Sequence, residues 1–235
     1  MSDVEEHRQH RLSPPSGAVA ILLVRHGESA AARADRPFDL VGGQGDPPLH
    51  PDGQVQARRV ADRLADEPIA AIYVTNLRRT VETAAPLAAR LSLTPRVEPD
   101  LREVHLGEWE GGAYRRHAAE GHPTALAVLA EERWDAIPGA EPAEEFDRRV
   151  RAAIGRIAAR HPDEQVVVFT HGGVVGAVLA HAARSRPFAF VGADNASISH
   201  LFVIGDRWVI RGFNDTGHLG YGFAPAGWRE RPQVS

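Results

Sequence analysis

The chain alternates short apolar runs with longer segments in which apolar residues recur every three or four positions. The runs at residues 18–24, 70–74 and 166–169 consist almost entirely of Ala, Val, Ile, Leu and aromatic residues, and each predicts a buried strand. The longer segments have the spacing of an amphipathic helix. Helices are therefore predicted over 51–66, 77–91, 146–157 and 174–184.

The remaining segments extend this alternation. Residues 113–134 predict two short helices broken by a Gly-His-Pro sequence, whereas 92–112 has no clear period and is predicted to be a long connection. Residues 197–204 and 207–213 predict a hairpin that turns at a Gly-Asp pair. Strands that alternate with helices predict an α/β fold, with a mainly parallel sheet covered on both faces and an antiparallel addition at its edge.

The composition divides the chain into a domain and two tails. Residues 18–221 contain no low-complexity linker and are predicted to form a single domain, while the polar segment 1–17 and the Pro-, Gly- and Arg-rich segment 222–235 are predicted to be flexible tails. The first tail lacks the apolar core of a signal peptide, and the run at 18–24 is too short to span a bilayer. We therefore expect a cytoplasmic protein with no membrane partner.

Residue usage excludes several kinds of chemistry. The chain has no cysteine and no lysine, which excludes disulfides, thiolate catalysis, Cys-ligated metals, Schiff bases and a P-loop lysine. The formal net charge of −4 does not indicate a nucleic-acid partner. Most histidines, His161 among them, show no ligand spacing and are predicted to be surface or capping residues.

Two histidines stand apart because each directly follows a predicted strand. His26 comes after the run at 18–24, and His171 comes after the run at 166–169; a glycine follows each of them. Since open α/β sheets bind ligands at the carboxyl ends of their strands, we expect the two rings to converge on one pocket. Arg25 beside His26 supplies a fixed cationic fork, and exposed backbone N–H groups add to it, so the pocket suits an anion, phosphate first of all.

Five motifs then follow one another along the chain. They are Arg25-His26-Gly27-Glu28-Ser29; Asp46-Pro47-Pro48-Leu49 with Gly53 and Gln56-Ala57; Leu77 with Arg79, Thr83 and Ala84; Leu101 with Glu103, Gly107, Trp109, Glu110 and Gly111; and Thr170-His171-Gly172-Gly173. In this order they resemble the histidine phosphatase superfamily, in the branch that includes cofactor-dependent phosphoglycerate mutases and many broad phosphatases. The resemblance extends from about residue 19 to residue 219.

The resemblance implies a phosphoglycerate mutase-like fold, a three-layer α/β sandwich with a mainly parallel central sheet flanked by helices. It also implies a phosphohistidine intermediate on His26, and its register selects Arg79 rather than Arg78 as the phosphate-binding arginine. The catalytic residues it implies are His26, Glu103, His171, Arg25 and Arg79. The substrate-binding residues it implies are Arg25, Arg79, His171 and Gly172.

The proton donor can be argued separately. A second branch of the family takes its acid from an aspartate directly after the second histidine, and here Gly172 occupies that position. The acid must then come from elsewhere, and the register of the fourth motif favours Glu103. Glu108 and Glu110 remain alternative candidates for the proton donor.

The implied activity is that of a metal-independent, acid or broad-specificity phosphatase that hydrolyses a small-molecule phosphomonoester, with no cofactor and no metal. Two alternatives stay open: a phosphoglycerate mutase, and an inactive phosphate-binding or interaction domain. A mutase needs further cations, for which Arg115, Arg116 and Arg133 are available, but Ala31-Ala32 replaces the Trp-Asn usual in mutases. The physiological substrate, which could be a phosphohistidine on a protein, is open, and so is the oligomeric state, a homodimer included. Specificity is expected from loops 30–45 and 112–140.

Overall fold

A six-stranded sheet forms the centre of the computed structural model, which describes residue 9 and residues 12–222. The strands are β1 (Val19–Arg25), β2 (Leu40–Val41), β3 (Gln44–Gly45), β4 (Ile69–Val74), β5 (Arg96–Val97), β6 (Gln165–Thr170), β7 (Ile198–Ile204) and β8 (Arg207–Asp215). The central sheet has the order β5-β4-β6-β1-β7-β8, and β2 pairs with β3 in a separate small hairpin. The predicted tails at 1–17 and 222–235 fall largely outside the described residues.

The direction of the strands confirms the predicted sheet. Strands β1, β4, β5 and β6 are parallel to one another, whereas β7 runs antiparallel to β1 and β8 antiparallel to β7. The predicted connection at 92–112 is partly wrong, since it contains β5 and two short 3-10 helices, Pro99–Leu101 and Gly107–Trp109. A two-residue strand is too short to produce a period in the sequence.

Six helices flank the sheet in the described part of the chain. They are α1 (Pro51–Leu64), α2 (Arg78–Leu91), α3 (Ala113–Ala119), α4 (Pro123–Glu131), α5 (Ala143–Arg160) and α6 (Gly172–Ala183). Each predicted helix is confirmed, and α5 is longer than predicted at 18 residues. None of these helices combines the length and the apolar composition that crossing a bilayer needs.

The side chains of β1 show how the layers are held together. Ile21 and Leu23 pack with the buried face of α5 and α6, while Leu22 and Val24 pack with α1 and α2. Both faces of β1 are therefore buried, which explains why its sequence is apolar at almost every position instead of alternating. The predicted three-layer sandwich is confirmed.

Candidate active site

The pairing of β1 with β6 brings the two histidines together. Arg25 lies opposite Thr170 in the parallel ladder, so the next residue of each strand leaves the sheet at the same point. The rings of His26 and His171 have centroids 5.3 Å apart and planes at 63°. His26 is 5% exposed and His171 is fully buried, so the predicted convergence is confirmed.

The hydrogen bond of His26 determines its tautomer. Nδ1 lies 2.7 Å from the carbonyl oxygen of Gly27, which can only accept, so Nδ1 carries the hydrogen and Nε2 keeps a lone pair. Burial holds the pKa of His26 well below its usual range, and the charges of Arg79 and Arg25 lower it further. The ring is therefore neutral near pH 7, with one basic nitrogen that accepts no intramolecular hydrogen bond in the described structure.

Only one of the two ring nitrogens of His171 has a hydrogen-bond partner among the described residues. Its Nε2 lies 3.2 Å from the hydroxyl of Thr75, while its buried Nδ1 has no hydrogen-bond partner among the described residues. Burial again lowers the pKa of His171 well below its usual range, followed by the charges of Arg79 and His26. A buried polar atom without a partner is rare in folded proteins, and here it leaves a position for an atom of a ligand.

Arg79 occupies the first turn of α2, next to the end of β4. It is 7% exposed, and its Nη1 donates to the carbonyl of Gly45 at 2.9 Å. Burial lowers the pKa of Arg79 to about 10, which still leaves it charged at neutral pH. Arg78 lies outside, with Glu82 3.0 Å from its guanidinium. Of the two arginines, Arg79 is the one that reaches the histidine pair.

Arg25 completes the cationic wall. Its Nη1 donates to the carbonyl of Ala193, and its buried Nε has no partner among the described residues. Burial lowers the pKa of Arg25, and the nearby carboxylate of Glu103 opposes that shift. Gly172, the first residue of α6, lies beside this guanidinium. Arg25 and Arg79 thus present two cations to one small volume.

The carboxylate of Glu103 is held at the start of α6. Its Oε2 accepts from the N–H of Gly173 at 3.1 Å, and its Oε1 accepts from the N–H of Val104 at 3.0 Å. A Cβ on residue 173 would overlap Oε1, so only glycine admits the carboxylate this closely. Each oxygen keeps a further lone pair, which leaves room for a proton or for a bond to a ligand.

The rival acids differ in their contacts. Glu110 also lines the cavity, but its two oxygens accept from the N–H groups of Leu106 and Gly45, each at 2.8 Å, and so fasten two loops to each other. Glu108 is exposed and does not line the cavity. Glu103 is the cavity carboxylate that accepts a hydrogen bond from α6, the helix that begins directly after His171.

Several supporting residues were missed at the sequence level. Arg149 of α5 donates to the carbonyls of residues 100, 102 and 103 and forms an ion pair with Glu141 at 2.6 Å. Gln44 donates to the carbonyl of Glu103 at 2.6 Å. These contacts fix the backbone under Glu103. No local signal marks Arg149, which is one of many arginines on polar helix faces.

His26, Arg79 and Glu103 face a cavity of about 340 Å³, and His171 lies behind the ring of His26 without lining that cavity itself. Its polar lining comprises Arg25, His26, Arg79, Glu103, Glu110 and Arg115, and its aromatic lining comprises Phe38, Trp109, Tyr114 and Trp134. A larger cavity of about 1060 Å³ lies over α6 and shares Trp134, Gly172, Gly173 and Val191 with it. The larger cavity contains neither histidine of the pair and neither of the two buried arginines, so the chemistry belongs to the smaller one.

In the part of the chain that is described, one group offers clustered metal-type ligands. Glu28, His50 and Asp52 bring one ligand atom each within 4.8 Å of the others. The group is largely exposed and does not line the cavity of about 340 Å³. It is separate from the histidine pair.

Fold and site together define an α/β protein with paired histidines and paired arginines at the carboxyl end of a parallel sheet. The sequence profile of the histidine phosphatase superfamily (branch 1) matches residues 21–216. The chain belongs to this family.

Named relatives agree with this assignment. The chain is similar to phosphoglycerate mutase-like protein 4 of Arabidopsis thaliana, with 36% identity over 85% of this chain and 86% of the relative. It is also similar to a metal-independent phosphoserine phosphatase of the same plant, with 33% identity over 87% of this chain and 84% of the relative. Among solved structures, a mycobacterial glucosyl-3-phosphoglycerate phosphatase aligns with a TM-score of 0.71 and 28% identity, covering 85% of this chain and all of the other.

Proposed function

We propose that the protein is a metal-independent phosphatase that hydrolyses small phosphomonoesters through a phosphohistidine on His26. The observation that carries this proposal is the neutral His26 ring, with Nε2 free and with Arg25 and Arg79 beside it. A neutral ring nitrogen is a nucleophile, and the two guanidinium groups oppose the charge of the phosphoryl oxygens.

In the first step, the lone pair of His26 Nε2 forms a bond to phosphorus while the bond to the ester oxygen breaks. Arg25, Arg79, the Nδ1 side of His171 and the backbone at Gly172 bind the phosphoryl oxygens. Glu103 gives its proton to the departing oxygen, which leaves as an alcohol. Help of this kind is worth about 10²–10⁴-fold when the leaving group is a poor one.

In the second step, water attacks phosphorus from the side that the alcohol has left. The carboxylate of Glu103 takes a proton from this water, and the P–N bond breaks with its electron pair returning to Nε2. Inorganic phosphate leaves, and both His26 and Glu103 return to their starting states. No metal enters either step, because the arginines supply the positive charge.

Hydrolysis is favoured over mutase activity by two observations. The sequence Gly172-Gly173-Val174 stands where mutases usually have Gly-Asn-Ser, and two of the relatives described above are phosphatases by name. The mutase alternative is separated by assaying 3-phosphoglycerate with and without 2,3-bisphosphoglycerate. Isomerisation that is much faster than phosphate release would reverse the choice. An inactive domain is disfavoured because His26, Arg79, Glu103 and His171 are all present.

The proposal is tested by trapping the intermediate. Enzyme mixed with ³²P-labelled substrate in excess EDTA and quenched without acid is expected to carry label that is acid-labile and base-stable. His26→Ala is expected to carry none and to lose at least about 10⁴-fold in kcat, as removal of a nucleophile does elsewhere. His50→Ala, which changes a histidine outside the cavity, is the matched control and should keep the label. Label that survives on His26→Ala, or activity that EDTA abolishes and zinc or magnesium restores, contradicts the proposal.

A further inference from the structure

The segment that carries Glu103, residues 100–103, is held in place by side chains. Each of its four consecutive carbonyl oxygens accepts a side-chain hydrogen bond: Arg149 donates to three of them, and the hydroxyl of Thr170 donates to the remaining one at 2.8 Å. The amide of Gln44 is a second donor to the last carbonyl of the segment, at 2.6 Å. Three elements of the fold, α5, β6 and the β2–β3 hairpin, thus converge on four peptide groups.

Arg149 makes most of these bonds from a fixed position on α5. Its Nη1 donates to two of the carbonyls, at 2.6 and 2.9 Å, and its Nη2 donates to that of Glu103 at 2.9 Å. The carboxylate of Glu141 accepts from Nε at 2.6 Å and from Nη2 at 2.8 Å, and the Phe146 ring lies under the guanidinium with its centroid 4.8 Å from Cζ. A planar guanidinium has its donors in a rigid fork, so one side chain can hold several carbonyls at set distances from one another.

The carboxylate of Glu103 depends on this support for its position. It accepts from the N–H groups of Val104 and Gly173, but Val104 is the next residue of the chain and moves with Glu103. The bond from Gly173, at 3.1 Å, is what ties the carboxylate to α6. A general acid works only within hydrogen-bond reach of the departing oxygen, and a misplacement of about 1 Å can cost on the order of 10²-fold in rate. The backbone position of Glu103 therefore matters for proton transfer.

We propose that Arg149 is a positioning residue for proton transfer: by holding the carbonyls of residues 100–103, it places the carboxylate of Glu103 at the leaving-group oxygen. This inference rests on the phosphatase function proposed above, in which Glu103 protonates the departing alcohol. Arg149 does not line the cavity of about 340 Å³, so it acts on the substrate through the residues that it holds. Its loss should slow the reaction in proportion to the need of the leaving group for a proton.

The experiment compares kcat/KM for glycerol 3-phosphate, whose alkoxide needs a proton, with kcat/KM for p-nitrophenyl phosphate, whose leaving group is stable without one. Arg149→Met is expected to lower the value for glycerol 3-phosphate by about 10–100-fold and the value for p-nitrophenyl phosphate much less. In Glu103→Gln protein, the same change is expected to add less than about twofold, because the proton that Arg149 helps to place is already absent. Arg149→Lys, which keeps the charge without the fork, is expected to recover part of the loss.

Arg156→Gln is the matched control, because Arg156 lies on the same helix and contacts the same part of the chain in a different way. It pairs with the side chains of Glu98 and Asp100, at 2.8 and 2.7 Å, instead of with the carbonyls under Glu103. Arg156→Gln is expected to leave the ratio of the two kcat/KM values unchanged. A second variant, Gln44→Leu, removes the other donor to the carbonyl of Glu103 and is expected to lower that ratio as Arg149→Met does.

Equal losses on the two substrates in Arg149→Met, or losses that multiply when it is combined with Glu103→Gln, overturn the positioning role. If Arg149→Met does not fold, an unchanged ratio of the two kcat/KM values in both Arg149→Lys and Gln44→Leu overturns it. A wild-type protein that hydrolyses neither substrate would instead overturn the proposed function, so the two failures are distinguishable.

Discussion

Two regions of the molecule each bury a histidine, and they use it in opposite ways. At the far end of the parallel strands, His161 is 4% exposed, with its Nε2 3.0 Å from the Tyr73 hydroxyl and its Nδ1 2.5 Å from Glu164. At the carboxyl end, His171 is fully buried, with its Nδ1 unpartnered in the described structure. Both ring nitrogens of His161 have hydrogen-bond partners in the protein, whereas Nδ1 of His171 has none among the described residues.

The difference separates structural from functional burial. Polar atoms in a protein interior are almost always satisfied, because an unmade hydrogen bond there costs about 1–3 kcal/mol. His161 follows the rule and links strand β4 to the end of α5. His171 breaks it at the one place where a phosphoryl oxygen is expected. The first two predictions below change the same residue type in both regions.

The largest difference is expected between the two carboxylates. Glu103→Gln keeps the shape of the side chain and removes the proton, so hydrolysis of alkyl phosphates should fall by about 10²–10⁴-fold. The loss should be much smaller for p-nitrophenyl phosphate, whose leaving group is already stable without a proton. Glu164→Gln should leave both rates unchanged. Single-turnover rates for the two substrates test this, and an equal loss on both in Glu103→Gln would assign that residue a structural role.

The two histidines should differ in a second way. His171→Leu removes a donor to the phosphoryl oxygens and should lower kcat/KM by about 10²–10³-fold, in the range seen for the loss of one oxyanion donor. It should destabilise the fold little, because the lost Nδ1 had no partner and the Thr75 hydroxyl, which loses Nε2 of His171, keeps its hydrogen bond with Thr80 at 2.9 Å. His161→Leu should leave the specific activity of the folded protein unchanged and lower the free energy of unfolding by about 1–3 kcal/mol, since the Tyr73 hydroxyl loses its acceptor and keeps only the long contact from Arg96 at 3.4 Å. Activity assays and urea titrations on both variants measure this. Lost activity in His161→Leu together with lost stability in His171→Leu would refute the distinction between a structural and a functional histidine.

The smallest effect concerns pH and stability. His26 and His171 have folded-state pKa values far below the unfolded value of about 6.5, so below that pH the unfolded chain binds protons that the folded protein does not. The free energy of unfolding contributed by each ring is therefore fully present above pH 6.5 and lost as the pH falls. The loss reaches about 1.4 kcal/mol per histidine by pH 5.5, one pH unit below the unfolded pKa. Urea unfolding at pH 7.5 and 5.5 measures the difference in the free energy of unfolding between wild type and His171→Leu, which should change with pH. A difference that is the same at both pH values would contradict the lowered pKa of His171.

The histidine pocket was predictable because its signals are local. His26 and His171 each follow an apolar strand directly, and parallel strands deliver their ends to one edge. His161 is predicted to be a surface or capping residue; the capping part is confirmed, because His161 is the C-cap of α5. The surface part is wrong for the opposite reason: the ring is buried and contacts Tyr73, 88 positions earlier in the chain. No pattern near His161 in the sequence predicts its contact with Tyr73.

The residues that support the site also depend on contacts between segments that are distant in the sequence. Arg149 acts on the Glu103 loop across 46 residues, and its neighbours on α5 include several arginines that stay on the surface. Strand β5 consists of two residues and depends on the adjacent β4 for its conformation. Features made by one segment can be predicted from that segment, whereas those made by two segments require the fold.

The position of β1 in the sheet has a consequence for biosynthesis. This strand is translated early, yet both of its partners, β6 and β7, are translated only after residue 164. Throughout the intervening elongation, an apolar segment has no partner on either edge, and unpaired edges of this kind recruit other chains. Aggregation is therefore a hazard of the unfinished polypeptide on the ribosome more than of the completed protein, and holding β1 apart from other nascent chains is a task for chaperones.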